Sequence, residues 1–267
     1  MTKNIMLTGG LGFIGSHTAV ELINKGYSVF IIDNLSNSSE SVVEDIKAIT
    51  GKEVFFCEGD IRDELTVGRF LQANEIDSVI HFAGSKSVNE SVFSPLHYYD
   101  NNVIGTISLL KAMTRHGIKN LIFSSSASVY GDPKYTPIDE SHPLNPTNPY
   151  AQTKKQSEEI ILDCATSDSE WKTIILRYFN PVGSHSSGLI GENPRGIPNN
   201  LVPYIAKVAE GSLPCLNVYG GDYPTKDGTG VRDYIHVVDL AMGHLAAVEY
   251  LKEEMEKSAI FNLGTGR

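Results

Sequence analysis

The sequence predicts an α/β fold in which a doubly wound parallel sheet carries helices on both faces. Short apolar runs rich in β-branched residues alternate with helix-like segments from the start of the chain to about residue 180. These runs are apolar on both faces, as strands are when helices cover each side of a sheet. A glycine triplet separates the first run from the first helix-like segment, which is typical of a Rossmann-like sheet.

The elements of this first part follow in a regular order. We expect strands at residues 4–8, 28–33, 54–60, 77–83, 119–126 and 173–180. We expect helices at Phe13–Lys25, Ser41–Thr50, Glu64–Asn74, Tyr98–His116 and Pro149–Thr166. Together these elements define a predicted first domain at residues 1–180.

The pattern changes after residue 180. Residues 181–200 are rich in glycine, proline and polar residues and indicate a long loop. A helix at 201–210, a strand at the LNVYG segment (216–220), a helix at 237–252 and a strand at 260–264 are expected beyond it. We interpret residues 181–267 as a smaller, interleaved substrate-binding lobe, from which a strand and a helix return to the first domain. Since the pattern stops in mid-course at FNLGTGR, we expect this lobe to be incomplete.

Composition excludes several classes of partner. The 267 residues carry a net charge of −10, which argues against general binding to nucleic acid or to an anionic membrane. No apolar run approaches the roughly 18 residues that a membrane-spanning helix needs. The three cysteines fit no zinc-binding spacing, and together with the absence of a signal-peptide pattern they favour a cytoplasmic protein.

The glycine triplet Gly9, Gly12 and Gly15 indicates a dinucleotide site. It follows a strand, opens a helix and is followed about 20 residues later by Asp33 at the end of the second strand. An acid at that position bonds an adenosine ribose and repels a 2′-phosphate. The segment NLSNSS after Asp33 contains no lysine or arginine, so the sequence favours NAD over NADP. A purely structural glycine turn is the weaker interpretation.

A tyrosine and a lysine share one face of a predicted helix. Asn148 is a good N-cap residue and Pro149 suits the first helical position, so Tyr150 and Lys154 lie one turn apart near the start of the helix. A nearby cation favours the phenolate, which makes Tyr150 a candidate general base. An isolated pair with this spacing is more often part of an ordinary surface helix, so other motifs must decide.

Longer stretches provide that context. They include TGGLGFIGSHTAVELINKGY, VIHFAGSKSVNESV, FSSSASVYG, NPYAQTK, LRYFNPVGSH and DGTGVRDYIHVVDLA. With the GxxGxxG spacing, these stretches resemble the UDP-glucose 4-epimerase family, in the extended branch of the short-chain dehydrogenase/reductase superfamily, over nearly the whole chain. The resemblance implies interconversion of UDP-galactose and UDP-glucose by NAD-dependent oxidation at sugar carbon four, rotation of the keto intermediate and hydride return. It also implies a cytoplasmic homodimer that acts in galactose metabolism.

The resemblance also implies roles for individual residues. Ser126 joins Tyr150 and Lys154 as the third catalytic residue, although the residues alone do not distinguish it from Ser124 and Ser125. The implied NAD contacts, besides the three glycines and Asp33, are Phe13, Ile14, Asn34, Leu35, Ser36, Asn37, Ser38, Asp60, Ile61, Phe82, Ala83, Gly84, Lys86, Asn101 and Phe179. The implied substrate contacts, besides Ser126, are Asn180, Asn200, Leu201, Tyr219 and Arg232.

Three alternatives remain open at the level of sequence. Another NAD-dependent nucleotide-sugar epimerase would share most of these motifs. A sugar-nucleotide dehydratase needs a carboxylate beside the catalytic hydroxyl, where this chain has Ala127 and Ser128. A non-catalytic NAD-binding protein would be expected to have lost the tyrosine or the lysine. Histidines such as His81, His236 and His244 lack metal-ligand spacing, so we predict structural roles and no metal site.

Overall fold

A computed structural model describes residues 4–252 and 258–266 of the chain. Within these residues, seven strands form one parallel sheet in the order β3-β2-β1-β4-β5-β6-β9. The strands are β1 (Asn4–Thr8), β2 (Ser28–Asp33), β3 (Phe55–Glu58), β4 (Ser78–His81), β5 (Asn120–Ser126), β6 (Lys172–Tyr178) and β9 (Ser258–Leu263). The predicted Rossmann-like α/β fold is confirmed, and the strand order reverses between β1 and β4, where such sheets bind ligands.

The connecting helices lie close to their predicted positions. They are α1 (Phe13–Lys25), α2 (Ser41–Thr50), α3 (Glu64–Ala73), α4 (Val88–Phe93), α5 (Pro95–Tyr98), a π-helical turn (Tyr99–Ile104), α6 (Gly105–Arg115), α7 (Pro149–Ser167), α8 (Leu201–Ala209) and α9 (Val237–Tyr250). None of the helices in the described part of the chain is both long and apolar enough to cross a membrane.

The sheet has a hydrophobic core on each face. Along β1, Ile5 and Leu7 belong to one core, and Met6 between them belongs to the other. Side chains alternate between the two faces of a strand, so a strand covered on both sides needs apolar residues at every position. This requirement explains the continuous apolar runs that identified the strands in the sequence.

The C-terminal part is interleaved with the main sheet. Leu240 and Leu245 of α9 belong to the same core as Ala19 and Val20 of α1, and β9 extends the sheet beside β6. Two further short strands, β7 (Asn180–Val182) and β8 (Tyr234–His236), pair in parallel outside the main sheet. The division of the chain at residue 180 stays a prediction.

Two predicted elements differ from the structure. The single helix expected at Tyr98–His116 is divided into the end of α5, the π-helical turn and α6. The strand expected at residues 216–220 is not formed, and this prediction was wrong. Val218 is 72% exposed and Tyr219 is 86% exposed, so this segment lacks the packing that would hold an apolar run in a sheet.

Candidate active site

The glycine loop between β1 and α1 is shaped by backbone contacts. Gly9 has φ of +65°, and a Cβ atom there would lie 2.8 Å from the backbone of Ala83. A Cβ atom on Gly15 would lie 2.7 Å from the Gly9 carbonyl oxygen. Only glycine fits both positions without a shift of the backbone. This packing brings the start of α1 close to the end of β4.

The N-terminus of α1 has the features of an anion-binding site. Gly12 is the N-cap, no side chain caps the helix, and the first turn contains no acidic residue. Its first N–H groups, including those of Phe13 and Ile14, are therefore free of a side-chain cap, and they carry the positive end of the helix dipole. The Nε2 atom of His17 in the next turn is buried without a hydrogen-bond partner. A diphosphate fits this arrangement.

Asp33 at the end of β2 ties the glycine loop to the segment that follows it. Its carboxylate accepts hydrogen bonds from the backbone N–H groups of Leu11 (3.1 Å) and Leu35 (2.9 Å) and from the hydroxyl of Ser38 (2.8 Å). Leu35 has φ of +57°, a strained conformation that this carboxylate helps to hold. Asp33 thus organises the loop that contains residues 34–38, which are among the implied NAD contacts.

The implied adenine-side residues lie after β3. Asp60 accepts hydrogen bonds from the side chains of Arg62 and Asn34, and the Arg62 guanidinium is the main reason that the pKa of Asp60 is lowered to about 2. Ile61 is buried and lies against Gly105, where a Cβ atom would be 2.6 Å from its Cδ1 atom. The charge of Asp60 is therefore neutralised locally, and Ile61 supplies an apolar surface.

The π-helical turn presents two successive asparagines to the loop after β4. Asn101 donates to the hydroxyl of Ser85 at 3.1 Å. Asn102 accepts from the Ser85 backbone N–H at 2.8 Å, and its amide donates to the Ser85 carbonyl and to Thr153, both at 3.0 Å. Thr153 in turn donates to the Tyr150 carbonyl at 2.7 Å. Asn102, which the sequence analysis missed, therefore links the loop of Gly84 and Lys86 to α7.

A buried polar chain extends this link to β1. His81 pairs with Thr8 at 2.7 Å through Nδ1 and with Thr106 at 3.1 Å through Nε2. Burial lowers the pKa of His81 to about 3, so the ring is neutral near pH 7. Since the Thr106 hydroxyl donates to the Asn102 carbonyl, it accepts from His81 Nε2–H. His81 thus has the structural role that the sequence predicted.

Tyr150 and Lys154 lie in the first turns of α7. Asn148 caps this helix, accepting from the Ala151 N–H at 2.9 Å, and Pro149 occupies the first helical position, as predicted. Tyr150 is half-buried. Burial raises the pKa of its phenol, and a hydrogen bond with Ser126 opposes that rise. The protein groups around Tyr150 therefore favour the neutral phenol. That Lys154 lowers the pKa of Tyr150 stays a prediction for the complex with NAD.

Lys154 is buried between the ends of two strands. Its ammonium donates to the Ser124 carbonyl at 2.7 Å and lies 4.9 Å from the centre of the Phe123 ring. A Cβ atom on Gly84, which follows β4, would be only 3.7 Å from its Nζ atom. Burial lowers the pKa of Lys154 to about 8, against an opposing effect of Glu158. The protonation state of Lys154 therefore depends on the charges of its neighbours.

The structure separates the three serines at the end of β5. The Ser124 carbonyl is engaged by Lys154, and the Ser125 hydroxyl donates to Glu158. Ser126 accepts from the Ser128 backbone N–H at 3.2 Å, and its hydroxyl acts to lower the pKa of Tyr150. Ser126 is therefore the serine that faces the candidate base. We call Ser124–Ser126 together with Tyr150 and Lys154 the catalytic corner.

Residues 183–200 form a strap over the predicted cofactor region. Glu192 accepts from Lys86 at 2.9 Å and from Asn200 at 2.7 Å through the same oxygen. Arg195 donates through its backbone N–H to the Asn37 side chain at 3.2 Å and through its guanidinium to the Ser38 carbonyl at 3.0 Å. A segment expected only as a loop thus contacts residues implied at both ends of the dinucleotide.

The implied substrate residues are less enclosed. Asn180 donates to the Asp233 carbonyl at 2.9 Å, and Phe179 joins its backbone to Leu263 at 3.1 Å. Leu201 is 49% exposed, and Arg232 is exposed with a hydrogen bond to the Val231 carbonyl next to it. We call residues 200–201 and 211–233 the substrate segments. Their side chains are not assembled with the catalytic corner by any hydrogen bond among the described residues.

The histidines that the sequence analysis singled out are held by hydrogen bonds within the fold. Within the described ranges, no group of three histidine, cysteine, aspartate or glutamate side chains could hold a metal ion. His244 is buried, its pKa is lowered to about 4 by burial, and it pairs with the Tyr178 hydroxyl. His236 caps α9 by accepting from the Val238 N–H at 3.2 Å.

The fold and the site define an α/β dinucleotide-binding protein with a serine, tyrosine and lysine gathered at the carboxyl end of its sheet. Residues 5–264 match the NAD dependent epimerase/dehydratase family, and the chain belongs to this family. The chain is 56% identical over 262 residues to the UDP-glucose 4-epimerase of Bacillus subtilis, covering 98% of this chain and 77% of that protein.

Solved structures support the same relationship. The crystal structure of UDP-glucose 4-epimerase from Bifidobacterium longum in complex with NAD+ and UDP is similar with a TM-score of 0.96 and 54% identity, over 99% of this chain and 78% of that one. The UDP-Glc/GlcNAc 4-epimerase from Campylobacter jejuni is similar with a TM-score of 0.84 and 38% identity, over 99% of this chain and 79% of that one.

Proposed function

We propose that this protein interconverts UDP-glucose and UDP-galactose by NAD-dependent oxidation and reduction at carbon four of the sugar. The observation that carries this proposal is the catalytic corner, in which the buried Lys154 donates to the Ser124 carbonyl at the end of β5, and Tyr150 precedes it by one turn of α7. Membership of the epimerase family and 56% identity to the Bacillus subtilis enzyme support it. Ala127 and Ser128 follow Ser126, so the carboxylate that a dehydratase needs there is missing.

The residues at the carboxyl edge of the sheet fit NAD. The uncapped start of α1 suits its diphosphate, and the loop that Asp33 organises suits the adenosine ribose. We assign Lys86, Asn101 and the backbone after β4 to the nicotinamide half of NAD. When bound, NAD supplies the hydride acceptor and donor that inversion of a non-acidic carbinol carbon requires.

The protein residues manage the proton of the reacting hydroxyl. Tyr150 accepts the proton of the 4-hydroxyl as that carbon is oxidised and returns it when the carbon is reduced on its opposite face. Ser126 accepts from the Ser128 N–H and keeps its hydroxyl proton for donation to the same reacting oxygen. Lys154 supplies the positive charge that stabilises the phenolate of Tyr150 during the transfer.

The first test is an assay of the purified protein with UDP-galactose, coupled to detection of UDP-glucose. We expect turnover without added NAD, because a reaction that is redox-neutral overall gains nothing from cofactor exchange. Acid denaturation should then release nicotinamide absorbance from the purified protein. A protein that holds NAD but does not form UDP-glucose would contradict the proposed reaction but not the proposed NAD site.

We propose further that the protein acts in the cytoplasm as a homodimer and without a nucleic-acid or membrane partner. Apolar side chains are exposed on α4, α5 and the π-helical turn, where Phe93 is 87%, Leu96 82% and Ile104 50% exposed. A cluster of this kind is more typical of an interface than of a monomer surface. Light scattering on the wild type should give twice the chain mass, and Leu96→Glu should reduce it. A monomeric wild type would contradict the proposal.

A further inference from the structure

A charged pair lies buried directly behind the catalytic corner. The side chains of Glu158 on α7 and Arg177 on β6 are 2% and 3% exposed. The Arg177 Nη2 atom lies 2.7 Å from one carboxylate oxygen, and its Nε atom is 3.1 and 3.2 Å from the two oxygens. Taking two charges out of water is costly, and many cores use apolar residues instead. A buried ion pair at this position therefore indicates a role in addition to packing.

The remaining polar atoms of the pair are also satisfied. The Ser125 hydroxyl donates to Glu158. Arg177 donates to the Tyr130 hydroxyl at 3.0 Å, and Tyr130 donates to Asn262 at 2.6 Å. The network thus joins α7 to the strands β5, β6 and β9. Such a fully satisfied network is rigid and fixes how these elements lie against each other.

The network reaches two of the proposed catalytic residues. Glu158 follows Lys154 by four residues on α7, so the two side chains share one face of the helix. Ser125, which bonds to Glu158, is the neighbour of Ser126 in β5. The ion pair is therefore adjacent to both residues: Glu158 shares a helix face with Lys154 and bonds to the residue next to Ser126.

Other groups near Lys154 contribute little charge. From β4, His81 is neutral because its pKa is lowered to about 3. From β5 come the Ser124 carbonyl and the Phe123 ring. From β6, burial raises the pKa of Tyr178 far above its ordinary value, so that phenol is neutral as well. Glu158, with Arg177 behind it, is the charged neighbour that acts on the lysine among the described residues.

We infer that Glu158 and Arg177 form a positioning pair that keeps Lys154 charged and holds it in register with Ser126. The inference rests on the proposed function, since the charge of Lys154 matters there through Tyr150. Glu158 opposes the effect of burial on the pKa of Lys154. Arg177 is paired with Glu158 and offsets part of its negative charge. Removal of the acid and removal of the base must therefore move the pKa of Lys154 in opposite directions.

The test compares the pH dependence of kcat for the wild type, Glu158→Gln and Arg177→Met. Loss of the proton of Lys154 at high pH produces the alkaline limb of the profile. In Glu158→Gln the lysine loses its counter-charge, so the alkaline limb should move down by about one pH unit. In Arg177→Met the Glu158 carboxylate is no longer paired with a guanidinium, so it stabilises the Lys154 ammonium more strongly. The alkaline limb should therefore move to higher pH. Arg177→Lys keeps the charge and should leave the limb within about 0.3 units of wild type.

A purely structural role predicts a different pattern. Both charge-removing variants would then lower kcat and melting temperature without moving the alkaline limb, or would move it in the same direction, and either result overturns the inference. A second measurement does not depend on turnover: the 13Cε signal of Lys154 in lysine-labelled protein, assigned through Lys154→Met, follows its titration by NMR. Its midpoint should fall in Glu158→Gln even if the protein has another reaction. An unchanged midpoint overturns the inference independently of the proposed function.

Discussion

The catalytic corner and the substrate segments differ in how far the protein satisfies their polar groups. Lys154 is 6% exposed and bonds to the Ser124 carbonyl, and the Ser126 hydroxyl acts to lower the pKa of Tyr150. In the substrate segments Tyr219 is 86% exposed, and the guanidinium of Arg232 bonds to the carbonyl beside it. The corner is preorganised by the fold, whereas the substrate segments have side chains that a ligand could still order.

This difference separates the contributions of the two regions. Preorganised groups act mainly on the transition state, since they need no reorganisation during the reaction. Exposed groups that a ligand orders act mainly on binding, because their contacts form equally with substrate and transition state. We therefore expect substitutions in the corner to change kcat and substitutions in the substrate segments to change KM.

Tyr150→Phe should give the largest effect. The phenylalanine keeps the ring in its half-buried site but removes the proton acceptor, so kcat should fall by at least ~10²-fold. UDP binding, measured by calorimetry, should change little. Tyr135→Phe is the matched control, because the exposed Tyr135 hydroxyl donates to Asp139 outside the catalytic corner. Retention of wild-type kcat in Tyr150→Phe would remove the tyrosine from its role as base.

Arg232→Ala should mainly raise KM. A guanidinium binds phosphate through charge-assisted hydrogen bonds, and their loss should raise KM for UDP-galactose by roughly 10- to 100-fold. Since the side chain is exposed, the melting temperature should stay at the wild-type value. Arg195→Ala serves as the control, since that arginine belongs to the strap and contacts Ser38 on the cofactor side. A fall in kcat with unchanged KM would place Arg232 with the catalytic corner instead.

Substitutions in the glycine loop should separate an effect on protein stability from an effect on NAD binding. In Gly15→Ala the new Cβ meets backbone atoms at 2.7 Å, so the free energy of unfolding should fall by about 1–3 kcal/mol. In Gly12→Ala the nearest atom is 3.3 Å away, so the stability of the NAD-free protein should fall by at most about 1 kcal/mol. That variant should nevertheless retain less NAD, because the Cβ stands at the start of α1. Equal losses of stability in both variants would contradict this distinction.

Glu192→Gln should give the smallest effect. The bond between Lys86 and Glu192 anchors the strap, but the lysine side chain is 49% exposed, so water weakens the pair. Its loss should change the opening free energy of the strap by less than about 1 kcal/mol, or roughly fivefold in the cleavage rate by a protease. Glu210→Gln, which removes the exposed pair with Lys207, is the control. A change of more than tenfold would show that the pair holds the strap far more firmly.

The sequence by itself determined the sheet, the glycine loop and the helix of Tyr150 and Lys154. These features depend on local rules: apolar runs for covered strands, glycine where backbones meet, and an Asn-Pro start for α7. Local rules failed where the outcome depends on a neighbour, as at residues 216–220, where the apolar run forms no strand. They also gave a single helix where the π-helical turn brings Asn101 and Asn102 to Ser85.

Only the tertiary structure decided which side chains pair with each other in and around the catalytic corner. Three adjacent serines are equivalent in the sequence, but Glu158 engages Ser125 and leaves Ser126 for Tyr150. Arg177 pairs with Glu158 across 19 positions, and Arg195 reaches Ser38 across 157. Hydrogen bonds and ion pairs act over a few ångströms in space and carry no periodic signal along the chain. Their partners become known only when the packing of helices and strands sets which side chains meet.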